Sequence, residues 1–231
     1  MKKVLIILGV LVLVFSTGAF AQSTSVVDSR HNMNRLGGAP ASYGGQVCVY
    51  CHTPHRANMA VGALWNKVAA NTPTVGGEPV EYFNQEASGT CLACHDGTIG
   101  VDSVLSIGGS PAEWPDTGGA GFTPDWRMTT ANASFIGSDL SDDHPIGENY
   151  PTIAPATSTR WKTATPSTSG TSASLPVAGS TSTLRLPARI GATGQYTVEC
   201  ASCHTPHNPV NGYFLRAPNT ASALCLACHT R

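Results

Sequence analysis

The sequence predicts a mostly irregular, coil-rich chain with a few short helices and little sheet. Gly (24) and Pro (16) recur along the 231 residues and break most stretches before a helical or strand period is established. Aromatic residues are only 7%, and no segment past the first 21 residues sustains the periodicity of a long helix or a strand series. The eight Cys and eight His gather largely in short repeated segments, so these segments are the expected organising centres. A formal net charge of −1, with 13 Lys and Arg and no basic block, argues against a nucleic-acid partner.

Residues 1–21 stand apart as a signal peptide. Met1-Lys2-Lys3 is a positive start, Val4 to Phe15 is an apolar run, and Ala19-Phe20-Ala21 is an A-x-A cleavage site, so the mature chain is expected to begin at Gln22. The apolar run is short for a membrane span, which needs about 20 residues. No Cys follows it closely, which argues against a lipid anchor. The expectation is a secreted protein at the cell surface or outside the cell, with the periplasm as the alternative, and no membrane insertion.

Export normally turns paired cysteines into disulfides. The spacing here argues for another chemistry. The pairs are Cys48 and Cys51, Cys91 and Cys94, Cys200 and Cys203, and Cys225 and Cys228, and each is followed at once by a histidine: His52, His95, His204 and His229. Disulfides require no such histidine, and four chance placements would come to roughly one in a million. A zinc ribbon uses C-x-x-C twice but leaves the trailing His redundant. C-x-x-C-H is the haem c attachment signature: both thiols form thioethers to the haem vinyl groups, and the His is the proximal iron ligand. Four covalently bound haem c groups are expected, each carried on a short helical turn. A further helix is expected around Asn58 to Val68.

Four histidines remain: His31, His55, His144 and His207. That equals the number of distal ligands four six-coordinate irons need, so bis-His ligation is expected throughout. Met33, Met59 and Met128 are competing distal ligands, expected instead to pack against porphyrin. Two assignments have a geometric basis. Trans ligands on one iron place their Cα atoms roughly 12 Å apart, given about 2 Å per metal–nitrogen bond. The three-residue step from His52 to His55 spans at most about 10–11 Å. His55 must therefore serve an iron other than that of His52, and His207 one other than that of His204.

The same residues expose an internal repeat. Cys48 to His55 reads C-V-Y-C-H-T-P-H and Cys200 to His207 reads C-A-S-C-H-T-P-H; each is followed by a second pair reading C-L-A-C-H. Ala63-Leu64-Trp65 and Tyr213-Phe214-Leu215 are expected as equivalent apolar caps. Within this repeat His55 is expected to serve the haem on Cys91/Cys94 and His207 the haem on Cys225/Cys228. His31 and His144 are left for the haems on Cys48/Cys51 and Cys200/Cys203. A carboxylate of Asp142 or Asp143 is expected to orient the His144 ring. His31, on a terminal arm, is the ligand expected to reach a neighbouring subunit if any does.

Between the modules, residues 157–183 hold 15 Ser and Thr in 27 positions. This tract is expected as a solvated surface loop, with O-glycosylation as the sharper reading. The expected organisation is residues 1–21 signal peptide, 22–146 first di-haem module with its N-terminal arm, 147–189 Ser/Thr/Pro-rich surface segment, and 190–231 second di-haem module. With so little to bury elsewhere, the core is expected to be built largely from stacked haems.

These doubled modules, with Asp142-Asp143-His144-Pro145-Ile146 between them, resemble the paired-CXXCH multihaem c-type cytochromes, over the whole mature chain. Within that family the chain resembles the extracellular tetrahaem cytochromes of metal-reducing bacteria. The resemblance implies bis-His ligation, a head-to-tail polymer of identical subunits with one distal ligand donated between neighbours, and conduction of electrons along a row of haems. It also implies outer-membrane or periplasmic cytochromes as donors and extracellular acceptors such as metal oxides. A discrete electron shuttle is the alternative. A multihaem reductase of a small nitrogen or sulfur substrate would need an open iron, typically on a C-x-x-C-K segment, and none occurs. An electron-transfer protein rather than an enzyme is therefore expected.

Overall fold

A computed structural model describes residues 25–36, 45–106, 118–151 and 160–230. The expected signal peptide, its cleavage site and Gln22 lie outside the described residues, as does the start of the Ser/Thr-rich tract. Among the described residues no helix is long and apolar enough to cross a membrane.

Coil dominates, as the composition predicts. The α-helices are α1 (Thr90–His95), α2 (Cys200–Cys203) and α3 (Cys225–Cys228). A 3₁₀ turn covers Cys48–Tyr50, and a π turn over Gln85–Gly89 leads into α1. Every C-x-x-C thus rides on a helical turn. The Asn84 side chain caps the π turn, accepting from Glu86 N at 2.9 Å and Ala87 N at 3.2 Å. Two of these turns run into Thr-Pro after the histidine, and Pro disfavours helical backbone in the residue before it.

The strands are β1 (Thr74–Val75), β2 (Glu78–Pro79), β3 (Glu148–Tyr150), β4 (Thr165–Pro166), β5 (Ser172–Pro176), β6 (Thr183–Pro187) and β7 (Tyr196–Val198). They form an antiparallel β1-β2 hairpin, an antiparallel β3-β7 pair and a three-stranded β4-β5-β6 meander. The β3-β7 register sets Tyr150 opposite Tyr196 and brings β7 to Glu199, the residue before α2.

Two expectations need correction. The Ser/Thr-rich tract is not simply a solvated loop: Ala173 and Leu175 of β5 and Leu184 and Leu186 of β6 are buried on one face, alternating with polar partners. Residues 58–68 form no helix but a tight loop, because main-chain hydrogen bonds from Thr53 to Leu64 and from Asn58 to Trp65 draw the backbone across itself. Protein side chains also make a core of their own, in three buried clusters. The largest gathers Tyr150, Leu175, Leu184, Leu186, Tyr196 and Leu224 beside Cys203 and Cys228. The second sets Trp65, Leu92 and Ile146 beside Cys51 and Cys200. The third sets Tyr50 and Trp126 beside Cys51. Each leucine so buried stabilises the fold by about 1.5–3 kcal/mol, and the clusters carry the attachment cysteines on their edges.

Candidate haem site

Three of the four C-x-x-C-H histidines are oriented by main-chain carbonyls. His52 Nδ1 lies 2.7 Å from Ala63 O, His95 Nδ1 2.7 Å from Ser134 O, and His204 Nδ1 2.8 Å from Tyr213 O. An Nδ1–H donated to a carbonyl fixes the tautomer and leaves the Nε2 lone pair for a metal.

Ala63 and Tyr213 occupy equivalent loops, as the repeat predicts. The loops repeat bond for bond: Thr53 N donates to Leu64 O at 2.9 Å and Thr205 N to Phe214 O at 2.8 Å, while Asn66 N donates to Cys51 O at 2.9 Å and Arg216 N to Cys203 O at 2.8 Å. What the sequence reading missed is their shape and their task. Gly62, Ala63 and Leu64 have φ of 80°, 50° and 55°, and Gly212, Tyr213 and Phe214 have φ of 71°, 45° and 58°. A left-handed turn of this kind strains non-glycine residues by about 1–2 kcal/mol each. It recurs beside His52 and His204, where it turns a carbonyl toward the imidazole. The only sequence signal was the glycine one residue before each cap.

The imidazoles meet in pairs. Ring centroids are 6.3 Å apart for His31 and His95, 6.1 Å for His52 and His207, and 6.4 Å for His144 and His229. Two metal–nitrogen bonds of about 2.0–2.1 Å, plus about 1.1 Å from each nitrogen to its ring centre, give about 6.3 Å. Each pair therefore has the spacing of two axial ligands on one metal.

The pairing differs from the expected one. His95 faces His31 rather than His55, His229 faces His144 rather than His207, and His207 faces His52. The short tethers do keep His55 and His207 off their own segments, but the neighbour of His207 belongs to the other module. Within its own chain His31 stacks on Phe214 at 4.1 Å and 12°, with the main chain of Pro206 against its ring. His144 Nδ1 meets Pro145 O at 2.9 Å, so a carbonyl takes the place expected for a carboxylate of Asp142 or Asp143. Of the methionines, Met33 packs on the third cluster, Met128 is buried, and Met59 is exposed.

Electrostatics suit neutral ligands. Burial pushes the His31 imidazole down to about 4, helped by His95 and, more weakly, by His207 and His204, and opposed by the hydrogen bond to Pro206. Burial likewise lowers His229, with help from His144, and Trp161 covers that ring at 4.6 Å. None of the eight cysteines is joined to another in a disulfide; Cys48 and Cys225 are exposed and the others partly buried. Burial raises Cys51 to about 12 and Cys203 and Cys228 to about 11. Cys91 and Cys200 hydrogen-bond one another, which raises the first and lowers the second, so the attachment turns of the two modules touch. Among the described residues no three His, Cys, Asp or Glu side chains form a set that would hold a bare metal ion.

Sequence reading also missed the seam between the modules. Ser88 Oγ donates to Glu199 Oε2 at 2.5 Å and accepts from Cys200 N at 2.9 Å. Glu199 is buried, and burial raises its carboxyl to about 7.

Unbridged cysteines three positions apart on helical turns, each pair followed by an imidazole that has a fixed tautomer or a second imidazole opposite it, fit a covalently attached haem. Residues 194–231 match the doubled CXXCH motif family, which covers the C-x-x-C-H segments at 200–204 and 225–229 and indicates covalently bound haem c there. This likeness supports a multihaem c-type cytochrome and electron transfer. No curated protein matches the chain.

Proposed function

We propose that the protein is an exported tetrahaem c-type cytochrome that conducts electrons along a row of bis-histidine haems. The observation that carries the reading is the set of histidine pairs at 6.1–6.4 Å, each containing at least one C-x-x-C-H histidine. Haem c supplies a one-electron iron couple. The residues of the chain do the rest. The paired cysteines hold each haem, His52, His95, His204 and His229 bind from one side, and carbonyls of Ala63, Ser134 and Tyr213 keep three of those rings in register.

The repeat assigns the remaining pair. It carries His31/His95 onto His144/His229, whose rings meet at 62° and 64° respectively. The same exchange carries His52/His207 onto His204/His55. His55 is therefore the distal ligand at the haem on Cys200/Cys203, His207 at Cys48/Cys51, His31 at Cys91/Cys94 and His144 at Cys225/Cys228. Ligands on both faces of every iron favour conduction over substrate chemistry.

The resemblance to extracellular tetrahaem cytochromes supports a filament of identical subunits that passes electrons to acceptors such as metal oxides. A discrete shuttle is the second reading, favoured by the placement of His31 on its own chain. Mass spectrometry of the native protein should give four covalent haems, and the reduced protein should stay low-spin and resist carbon monoxide. Free thiols, or rapid formation of a carbonyl adduct, would overturn the bis-His reading. Negative-stain microscopy separates the other two: filaments support the polymer, and uniform single particles leave the shuttle.

A further inference from the structure

Three of the four C-x-x-C-H histidines have the same kind of main-chain segment laid against them. Trp65 forms an antiparallel bridge with His52, and Asn66 N donates to Cys51 O at 2.9 Å. Leu215 forms the same bridge with His204, and Arg216 N donates to Cys203 O at 2.8 Å. At the last segment the bridge is between Trp161 and His229, and Lys162 N donates to Cys228 O at 2.8 Å. Residues 161–162 thus take the place of 65–66 and 215–216. They come from the connection between the modules, not from a loop that follows the histidine, so the repeat in the sequence does not reveal them.

This segment is pinned on both sides of Trp161. Thr230 N donates to Arg160 O at 3.1 Å, and Lys162 Nζ donates to Leu226 O. The Tyr150 hydroxyl donates to Lys162 O at 2.6 Å, with Cys228 O at 3.4 Å. Tyr150 is buried in the β3-β7 pair, so the sheet sets where the segment lies. The Tyr150 ring also meets the Trp161 indole edge-on, at 5.9 Å and 72°. Held in this way, the indole lies on the His229 imidazole with ring centroids 4.6 Å apart and planes at 41°. That separation falls within the range over which aromatic rings attract one another. His52, His95 and His204 each have a carbonyl against Nδ1. Among the described residues the His229 ring meets other rings instead, Trp161 and His144.

We propose that Trp161 is a positioning residue for the haem on Cys225/Cys228: its indole fixes the rotation of the His229 imidazole, the task that carbonyls of Ala63, Ser134 and Tyr213 perform at the other three histidines. The inference rests on the haem reading above. A histidine bound to a metal through one nitrogen can still turn about that bond, and a neighbour on the rest of the ring decides where it stops. A flat side chain in face contact does this as a hydrogen bond does, because turning the imidazole would drive its edge into the indole. The connection between the modules thereby becomes part of the last haem site, although it carries none of its ligands.

The test is electron paramagnetic resonance of the ferric holo-protein, whose low-spin signals report the orientation of the axial imidazole planes. Trp161→Ala should keep four covalent haems by mass and shift or broaden one low-spin signal, with the others unmoved. Trp161→Phe keeps a ring on His229 and should restore the wild-type signal. The signal that moves should be the one lost in His144→Ala, since His144 faces His229. A Trp161→Ala protein with all signals unchanged and only a lower melting temperature would make Trp161 a packing residue and overturn the proposal, as would movement of a different signal. If that variant does not mature, Trp161→Leu decides, because leucine fills the space against the cluster without a ring plane; unchanged signals there overturn the proposal equally. A wild-type protein that takes up no haem would instead sink the haem reading itself.

Discussion

Glu199→Gln is the perturbation with the most direct thermodynamic reading. Glu199 is 2% exposed and sits between the attachment turns of the two modules. One carboxylate oxygen accepts from Ser88, and the other, Oε1, is buried close to Thr197, whose side chain acts against the upward shift. Burial therefore dominates, and it moves the carboxyl from an ordinary 4.5 to about 7. Because the folded-state value is raised, the folded protein holds the proton where the unfolded chain has released it. The stabilisation is fully present below about pH 4.5 and is lost as pH rises through about 7. At 1.36 kcal/mol per unit, the wild type should lose about 3 kcal/mol across that window from this group alone. Glu199→Gln cannot titrate and keeps an amide that accepts from Ser88. The assay is urea denaturation of wild type and variant, followed by far-UV circular dichroism, at intervals from pH 4.5 to 7.5. The difference in unfolding free energy should move in the variant's favour by about 3 kcal/mol over that range. A constant difference would refute the reasoning, since it would mean that Glu199 keeps an ordinary carboxylate value in the folded protein.

Other outcomes follow from the same structure. Leu175→Ala should lower stability by about 2–5 kcal/mol, because Leu175 is fully buried in the largest cluster; calorimetry of the holo-protein checks this, and a loss under 1 kcal/mol would mean the hairpin face is not core. Phe214→Ala should free the His31 ring and change the low-spin electron paramagnetic resonance signal of one haem while leaving four haems attached. N-terminal sequencing of the exported protein should begin at Gln22.

Much of the site was legible because it is local. C-x-x-C-H compresses both thioethers and the proximal ligand into five positions, and the Thr-Pro-His extension displays the repeat in eight. The equivalence of Ala63-Leu64-Trp65 with Tyr213-Phe214-Leu215 was visible for the same reason. Its left-handed form was not, since Ala, Leu, Tyr and Phe are poor residues for positive φ and only tertiary hydrogen bonds hold them there. The pairing of histidines was illegible in principle. Spacing limits which irons His55 and His207 can reach, but the choice among the rest depends on how residues 31, 52, 144 and 207 return across the chain. The β5-β6 hairpin was readable and was overlooked. Ala173-Ser174-Leu175 and Leu184-Arg185-Leu186 alternate as strands do, but the surrounding Ser and Thr made the tract look solvated.

The observed pairing changes what the repeat means. Had each module paired its own histidines, the two halves would be independent beads on one chain. Instead His207 of the second faces His52 of the first, and His31 of the first rests against Phe214 and Pro206 of the second. Ser88 joins Glu199 and Cys200 across the same seam, where Cys91 and Cys200 touch. Neither half has a complete set of ring partners without the other, so ordering one orders both. Such mutual completion brings the attachment turns of different modules into contact, which a chain of separate beads would leave to the length of its linkers. A long Ser- and Thr-rich connection is compatible with this arrangement because it does not set the distance between the modules. The histidines and the Ser88–Glu199 seam do, and the connection folds its own hairpin onto α2 beside them.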